Sequence, residues 1–195
     1  MAVKLGWIHY FGVDDCRGSV AAVQAAAGKC LRQPHDVPMA ELIAMVADSC
    51  DAPFYVTTSA PNRGGGESIS FSADRHVGRC GCTELMAKDA VKAEDFYTGM
   101  FGWGLPDFMD TGEVGKYQFI AHDGVTTGAT MGTMPDMPVS MWNHYFCVAL
   151  IDAAKAAVDA YGGQIINGPM PMPGDDWIIQ GIDPQDAMFS LVDAR

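Results

Sequence analysis

Large apolar residues alternate with others in WIHYFGV (7–13) and again in WNHYFCV (142–148), the period of two that a half-buried strand requires. Each stretch runs into an alanine-rich segment, 19–27 in one case and 152–161 in the other. Alanine has the best intrinsic helix propensity, so both segments predict helices, with Gly28 and the Gly162–Gly163 pair as C-terminal stops. Three short apolar runs follow each helix, near 29–33, 40–47 and 53–58, and near 164–167, 177–182 and 187–192. PHDVP and DSCD separate the first set, and PMPMPGD and DPQD the second, all of them turn chemistry. Both stretches therefore predict β-α-β-β-β.

The two stretches are copies of one another. Residues 7–56 lie on residues 142–191 at a constant offset of 135 without a gap. Trp7, His9, Tyr10, Phe11 and Val13 fall on Trp142, His144, Tyr145, Phe146 and Val148. Val23 and Gly28 fall on Val158 and Gly163, and Asp48, Asp51, Ala52 and Phe54 on Asp183, Asp186, Ala187 and Phe189. A third, divergent unit sits between them: CTELMA (82–87) predicts a strand, Asp89 an N-cap, Ala90–Tyr97 a helix and Gly99 its end. FGW (101–103) leads on to a hairpin of 116–124 and 127–134. Residues 59–75, rich in Gly, Ser and charge, read as linker. Three βαβββ modules result, near 5–58, 79–134 and 140–193.

Composition narrows the function. The 195 residues carry 24 acidic against 12 basic side chains, a net charge of −12, and are 49% hydrophobic. A globular chain this acidic lacks the Lys/Arg clusters that nucleic acid or an anionic membrane rewards, so neither partner is expected. The N-terminal MAVKLGWIHYF shows no signal-peptide h-region or cleavage site, and the six scattered cysteines read as reduced thiols. Both features predict a cytoplasmic protein.

The motifs TEL…KD…A.DFYTGMFGW (83–103), the twice-occurring W.HYF.V, and DPQDAMFSLV (183–192) resemble the vicinal oxygen chelate superfamily of glyoxalases, bleomycin-resistance proteins and extradiol dioxygenases. The similarity is greatest to its two-domain glyoxalase-like members and covers nearly all the chain except the linker. In that family two βαβββ modules pair around a cavity. The resemblance thus implies an α+β fold in which 79–195 forms one complete glyoxalase-like domain from modules 79–134 and 140–193. Residues 1–58 would be a half-domain and 59–78 a linker. An uncovered half-domain exposes apolar sheet, so the first module is expected to form a homodimer with the same module of a second chain, unless the chain is a truncated form.

Metal-using members hold a divalent ion with a His or Gln on each first strand and a Glu on the last. The matching positions here are Ile8, Cys82 and Asn143, then Tyr55 and Ser190, none of them a usual ligand. No cofactor is therefore expected, and a divalent metal enters only if the strand register slips by one, which would make His144 and Glu84 the ligands. In the expected register His9 and His144 face the helix with Trp7, Trp142, Phe11 and Phe146. Cys82, Glu84 and Met86 share a face, as do Asn143, Tyr145 and Cys147. The sequence thus predicts a small-molecule cavity between the second and third modules. Cys82, Met86, Asn143, Tyr145, Cys147, Trp177 and Ser190 are its ligand-binding residues, and Glu84, desolvated among them, is the candidate catalytic base. Trp103, Trp142 and Trp177 are candidate flat walls. The rival expectation is a metal-dependent glyoxalase-type lyase or extradiol dioxygenase.

Overall fold

A computed structural model describes residues 6–37, 40–58, 68–112, 115–134, 139–172 and 175–193. Among the described residues three helices and twelve strands in two mixed sheets make an α+β fold. In chain order they are β1 (His9–Gly12), α1 (Cys16–Ala25), β2 (Lys29–Val37), β3 (Ala40–Ala47) and β4 (Pro53–Thr58). Next come β5 (Cys80–Ala87), α2 (Ala90–Phe101), β6 (Phe108–Asp110), β7 (Lys116–His122) and β8 (Val125–Gly132). The last are β9 (Met141–Cys147), α3 (Ile151–Ala160), β10 (Gln164–Pro171), β11 (Trp177–Ile182) and β12 (Met188–Asp193). The order β-α-β-β-β thus occurs three times. Of the linker expected at 59–78, residues 59–67 lie outside the described residues. Among the described residues no helix is long and apolar enough to cross a membrane.

The chain divides into two compact units, one of residues 1–7, 69–84 and 143–195, the other of 8–68 and 85–142. In the first, the strand order is β10-β11-β12-β9-β5, with β12 parallel to β9 and the other two registered pairs antiparallel. α3 packs along β10, β11 and β12. In the second, β1-β4-β3-β2 form a sheet with β1 parallel to β4, and β5-β8-β7-β6 follow one another.

The core of the second unit shows why its elements form. Asp15 caps α1 by accepting from the Arg17 amide, and Cys16, Val20 and Val23 recur at helical spacing on its buried side. Phe54, Val56 and Thr58 alternate inward on β4. α2 adds Ala93, Phe96 and Tyr97, and Trp103, Ile120 and Trp142 complete the cluster. Trp103 stacks on Tyr97 at 4.7 Å between ring centres, and the Trp142 indole N–H donates to the Tyr97 hydroxyl at 3.2 Å. Trp103 and Trp142 therefore fill core instead of walling a ligand. Asp89 caps α2 as expected, but the helix runs past Gly99 and ends at Gly102, which takes the left-handed φ of 66°.

The repeat has a steric basis. A Cβ on Gly28 would lie 2.6 Å from the Ala47 carbonyl oxygen and 2.7 Å from Val23, and one on Gly163 would meet Ile182 and Val158 at the equivalent atoms. Strand, helix and turn approach too closely there for a methyl group. Asp48 accepts from the amides of Cys50 and Ala52, and Asp183 from those of Gln185 and Ala187. Each of these aspartates closes its turn by the same two bonds, with Asp51 and Asp186 in the left-handed region.

Candidate functional site

β-Strand pairing in the first unit lays one row of polar side chains across four strands. Asn167 on β10 pairs with Gln180 on β11, Gln180 with Ser190 on β12, and Ser190 with Tyr145 on β9. Side chains in register on neighbouring strands project to the same face, so the row is a direct product of the alternation. On β5, Glu84 joins it.

The hydrogen bonds run in one direction. The Asn167 amide donates to Gln180 Oε1 at 3.1 Å, the Gln180 amide to the Tyr145 hydroxyl at 3.3 Å, and that hydroxyl to Glu84 Oε2 at 3.2 Å. From the other end Ser190 donates to Asn143 Oδ1 at 3.0 Å, and the Asn143 amide to Glu84 Oε1 at 3.5 Å. Both arms converge on a carboxylate that is 5% exposed. An ionised carboxylate is acceptor-only, so two inward-pointing donors suit it. Burial pushes the Tyr145 phenol far up, and the neighbouring Glu84 charge adds to this, so Tyr145 stays a donor across the accessible pH range.

Beside the row lies an apolar patch of Tyr145, Cys147, Ile178 and Val192, with Cys82 and Met172 against it. Burial lifts the Cys80 thiol to about 11, and burial together with the Glu84 charge lifts Cys82 to about 12. Burial also raises Cys147. Thiols held this high are un-ionised at neutral pH and are poor nucleophiles. His144, on the opposite side of β9 from Tyr145, is buried, and desolvation pulls it down to about 4.

The structure thus brings together Glu84, Asn143, Tyr145 and Ser190, with Cys82 and Cys147 adjoining. Trp177 opens β11 and is half-buried. Met86 belongs to the second unit, where it is buried on β5. Sequence reasoning passed over Gln180 and Asn167. Gln180 had a signal, as the single polar side chain in WIIQGI; Asn167 sits between two register shifts of β10 that hide its alternation. The second unit has an open hollow of about 400 Å³ lined by Val13, Asp15, Ala22, Met100 and Phe101.

Whether these residues suit a divalent metal follows from their donors. Glu84 is the one carboxylate of the network, and Asn143, Tyr145 and Ser190 offer neutral groups already engaged with it or with each other. Among the described residues no three His, Cys, Asp or Glu side chains converge as a ligand set. The donor set does not fit an ion that takes imidazole, thiolate and carboxylate ligands.

Comparison with known proteins bears on the same segment. The family model described as Glyoxalase/Bleomycin resistance protein/Dioxygenase superfamily matches residues 76–189. The anthracycline biosynthesis protein DnrV of Streptomyces peucetius is 29% identical over 122 residues, covering 55% of this chain and 44% of that protein. CFP32 of Mycobacterium bovis, named as a candidate glyoxylase, is 27% identical over 187 residues, 95% of this chain and 69% of its own length. The chain therefore spans less than half the length of the anthracycline relative. Among solved structures, 2,2',3-trihydroxybiphenyl 1,2-dioxygenase of Sphingomonas wittichii superposes with a TM-score of 0.67 at 16% identity, over 94% of this chain and 68% of that one. The Mn(II)-bound glyoxalase of Novosphingobium aromaticivorans gives 0.64 at 14%, over 94% and 61%. At those identities the likeness is one of fold.

Proposed function

Because the chain belongs to the Glyoxalase/Bleomycin resistance protein/Dioxygenase superfamily, we propose that it binds a small organic molecule at the polar row of the first unit, without a metal, with Glu84 as proton acceptor. The convergence of both hydrogen-bond arms on Glu84 carries this reading. A ligand reaching the carboxylate must offer a donor, such as a hydroxyl or an acidic C–H. Tyr145, remaining a phenol, donates its one proton to Glu84 and so holds the carboxylate in place. Asn143, fixed by Ser190, orients the other carboxylate oxygen. The neighbouring Ile178, Val192, Cys82 and Met172 suit the apolar body of such a molecule. DnrV is attached by name to anthracycline biosynthesis and CFP32 to glyoxylase chemistry, so hydroxylated aromatic compounds and short carbonyl compounds are the first to screen.

The test is the affinity of any hit in the presence of EDTA, on the parent protein and on Glu84→Gln and Tyr145→Phe. Losing one charge-assisted hydrogen bond corresponds to a roughly 10- to 100-fold weaker Kd for Glu84→Gln, with a smaller loss for Tyr145→Phe. Unchanged affinity in Glu84→Gln, or binding abolished by EDTA, overturns the proposal; the second result favours the metal-dependent lyase or dioxygenase instead.

The same reading keeps the first module as a half-domain that pairs with its copy in a second chain. Tyr10, stacked on Tyr55 at 4.8 Å, is 54% exposed, whereas Tyr145, the equivalent residue of the third module, is 5% exposed. β1 ends its sheet and its HYFG segment carries no Asp, Glu, Lys or Arg, so two copies meet there without repulsion between such side chains. Sedimentation velocity is expected to show a dimer that Tyr10→Lys dissociates; a monomer at every concentration rules it out.

A further inference from the structure

We infer that the loop 70–79 of the first unit is a latch over the thiol side of the proposed site, closed by the ion pair between Arg75 and Asp176. This goes beyond the ligand-binding proposal and does not depend on it. The ends of the loop are fixed. The Ser72 amide donates to the Cys80 carbonyl at 2.9 Å, Cys80 donates to the Ser70 carbonyl at 2.9 Å, and Gly78 donates to that of Cys147 at 2.8 Å. Between these ties residues 73–78 are exposed, and Arg75 reaches across 101 positions of sequence to Asp176, just ahead of β11.

Beneath the loop the packing is tight. A Cβ on Gly81 would lie 2.4 Å from Cys147 Sγ and 3.3 Å from Arg75 Cγ, so the arginine stem lies over the strand next to the buried thiol. Its charge is felt at both Cys82 and Cys147. The turn has bonds of its own, Ser72 Oγ with His76 Nδ1 at 2.8 Å and the Arg75 amide to the Ser72 carbonyl at 3.0 Å, and the Arg75–Asp176 pair is what fastens it to the chain ahead of β11. Arg75 takes a left-handed φ of 57°, which disfavours a residue with a Cβ. The ion pair that compensates is partly exposed, and such pairs contribute little net stability and are screened by salt. Gly78, at φ 82°, turns the chain back to β9, where its bond to the Cys147 carbonyl marks the end of the segment that moves. Breaking the ion pair therefore frees residues 73–77 to lift between the fixed ends, and lifting them uncovers Cys80 and Cys147 beside the Tyr145 patch.

The experiment measures the rate of N-ethylmaleimide alkylation at each cysteine by peptide mass spectrometry, on the full chain at low and at high salt. Closed, Cys80 and Cys147 react slowly because they are buried and un-ionised. Arg75→Gly, which keeps the turn and removes the cation, and Asp176→Asn should each accelerate alkylation at Cys80 and Cys147 by about fivefold. Arg75→Lys should restore the slow rate. Raising the salt should accelerate the parent protein and leave Arg75→Gly unchanged. Cys16 and Cys50, buried in the second unit, are the control for general unfolding and should keep their rates. Equal rates in parent and variants, or acceleration at all buried cysteines alike, overturns the latch.

Discussion

Replacing Phe54 by alanine should unfold the protein at a temperature on the order of 10 °C lower than the parent, the largest stability loss expected of any single truncation described above. Phe54 is fully buried on β4. Its ring meets Phe11 edge-on at 5.3 Å, Tyr97 at 5.7 Å, Phe101 at 6.3 Å and Phe96 at 6.4 Å. Edge-to-face packing of this kind adds to the transfer of the ring out of water, and the four neighbours are held on two elements, Phe11 on β1 and Phe96, Tyr97 and Phe101 on α2. None can collapse inward without breaking its own contacts, so the cavity stays open. Deletion of a buried phenylalanine costs about 3–5 kcal/mol in such sites. Differential scanning calorimetry decides it, and a loss below about 1 kcal/mol would show that the aromatic cluster repacks freely.

The second large effect is on pH. His144 titrates near 4 in the folded protein because burial disfavours its charged form, against an ordinary value of about 6.5 when unfolded. Between those values the unfolded chain binds the extra proton, so acid draws the equilibrium toward unfolding. The contribution is flat above pH 6.5, falls through the window, and by pH 4 has removed roughly 3 kcal/mol of stability. Asp48 works the other way: burial raises its carboxyl, so protonation on acidification favours the fold. Thermal midpoints of the parent should fall steeply from pH 6.5 to 4, and those of His144→Phe should fall much less. Parallel curves for the two proteins would show that His144 gains a proton in the folded state as readily as in the unfolded one.

Much of this was written in local pattern. Period-two alternation placed Asn143 and Tyr145 on one face and His144 on the other, and the equivalent position on the last strand gave Ser190. Gly28 with Gly163, and Asp48 with Asp183, stood out because a duplicated turn and a duplicated close approach admit few other residues. Chain-distant relations left no such trace. Arg75 and Asp176 meet only through the tertiary fold, and nothing in the neighbourhood of either singles it out. The end of α2 was misplaced for a different reason: Gly99 faces open space and is tolerated inside the helix, whereas Gly102 is needed where the chain turns left-handed. Asn167 was lost where β10 leaves regular pairing.

Both helices finish in a left-handed residue one step before the crowded glycine: Ala27 at φ 63° in the first module and Gly162 at φ 82° in the third. The third module holds the residue that this geometry favours, while the first retains a methyl group against it. Each copy is thus an inventory of what its sibling can accept, tried in the same backbone and in the same polypeptide. Exchanging residues between positions separated by 135 is a guide to engineering this chain that requires no other sequence.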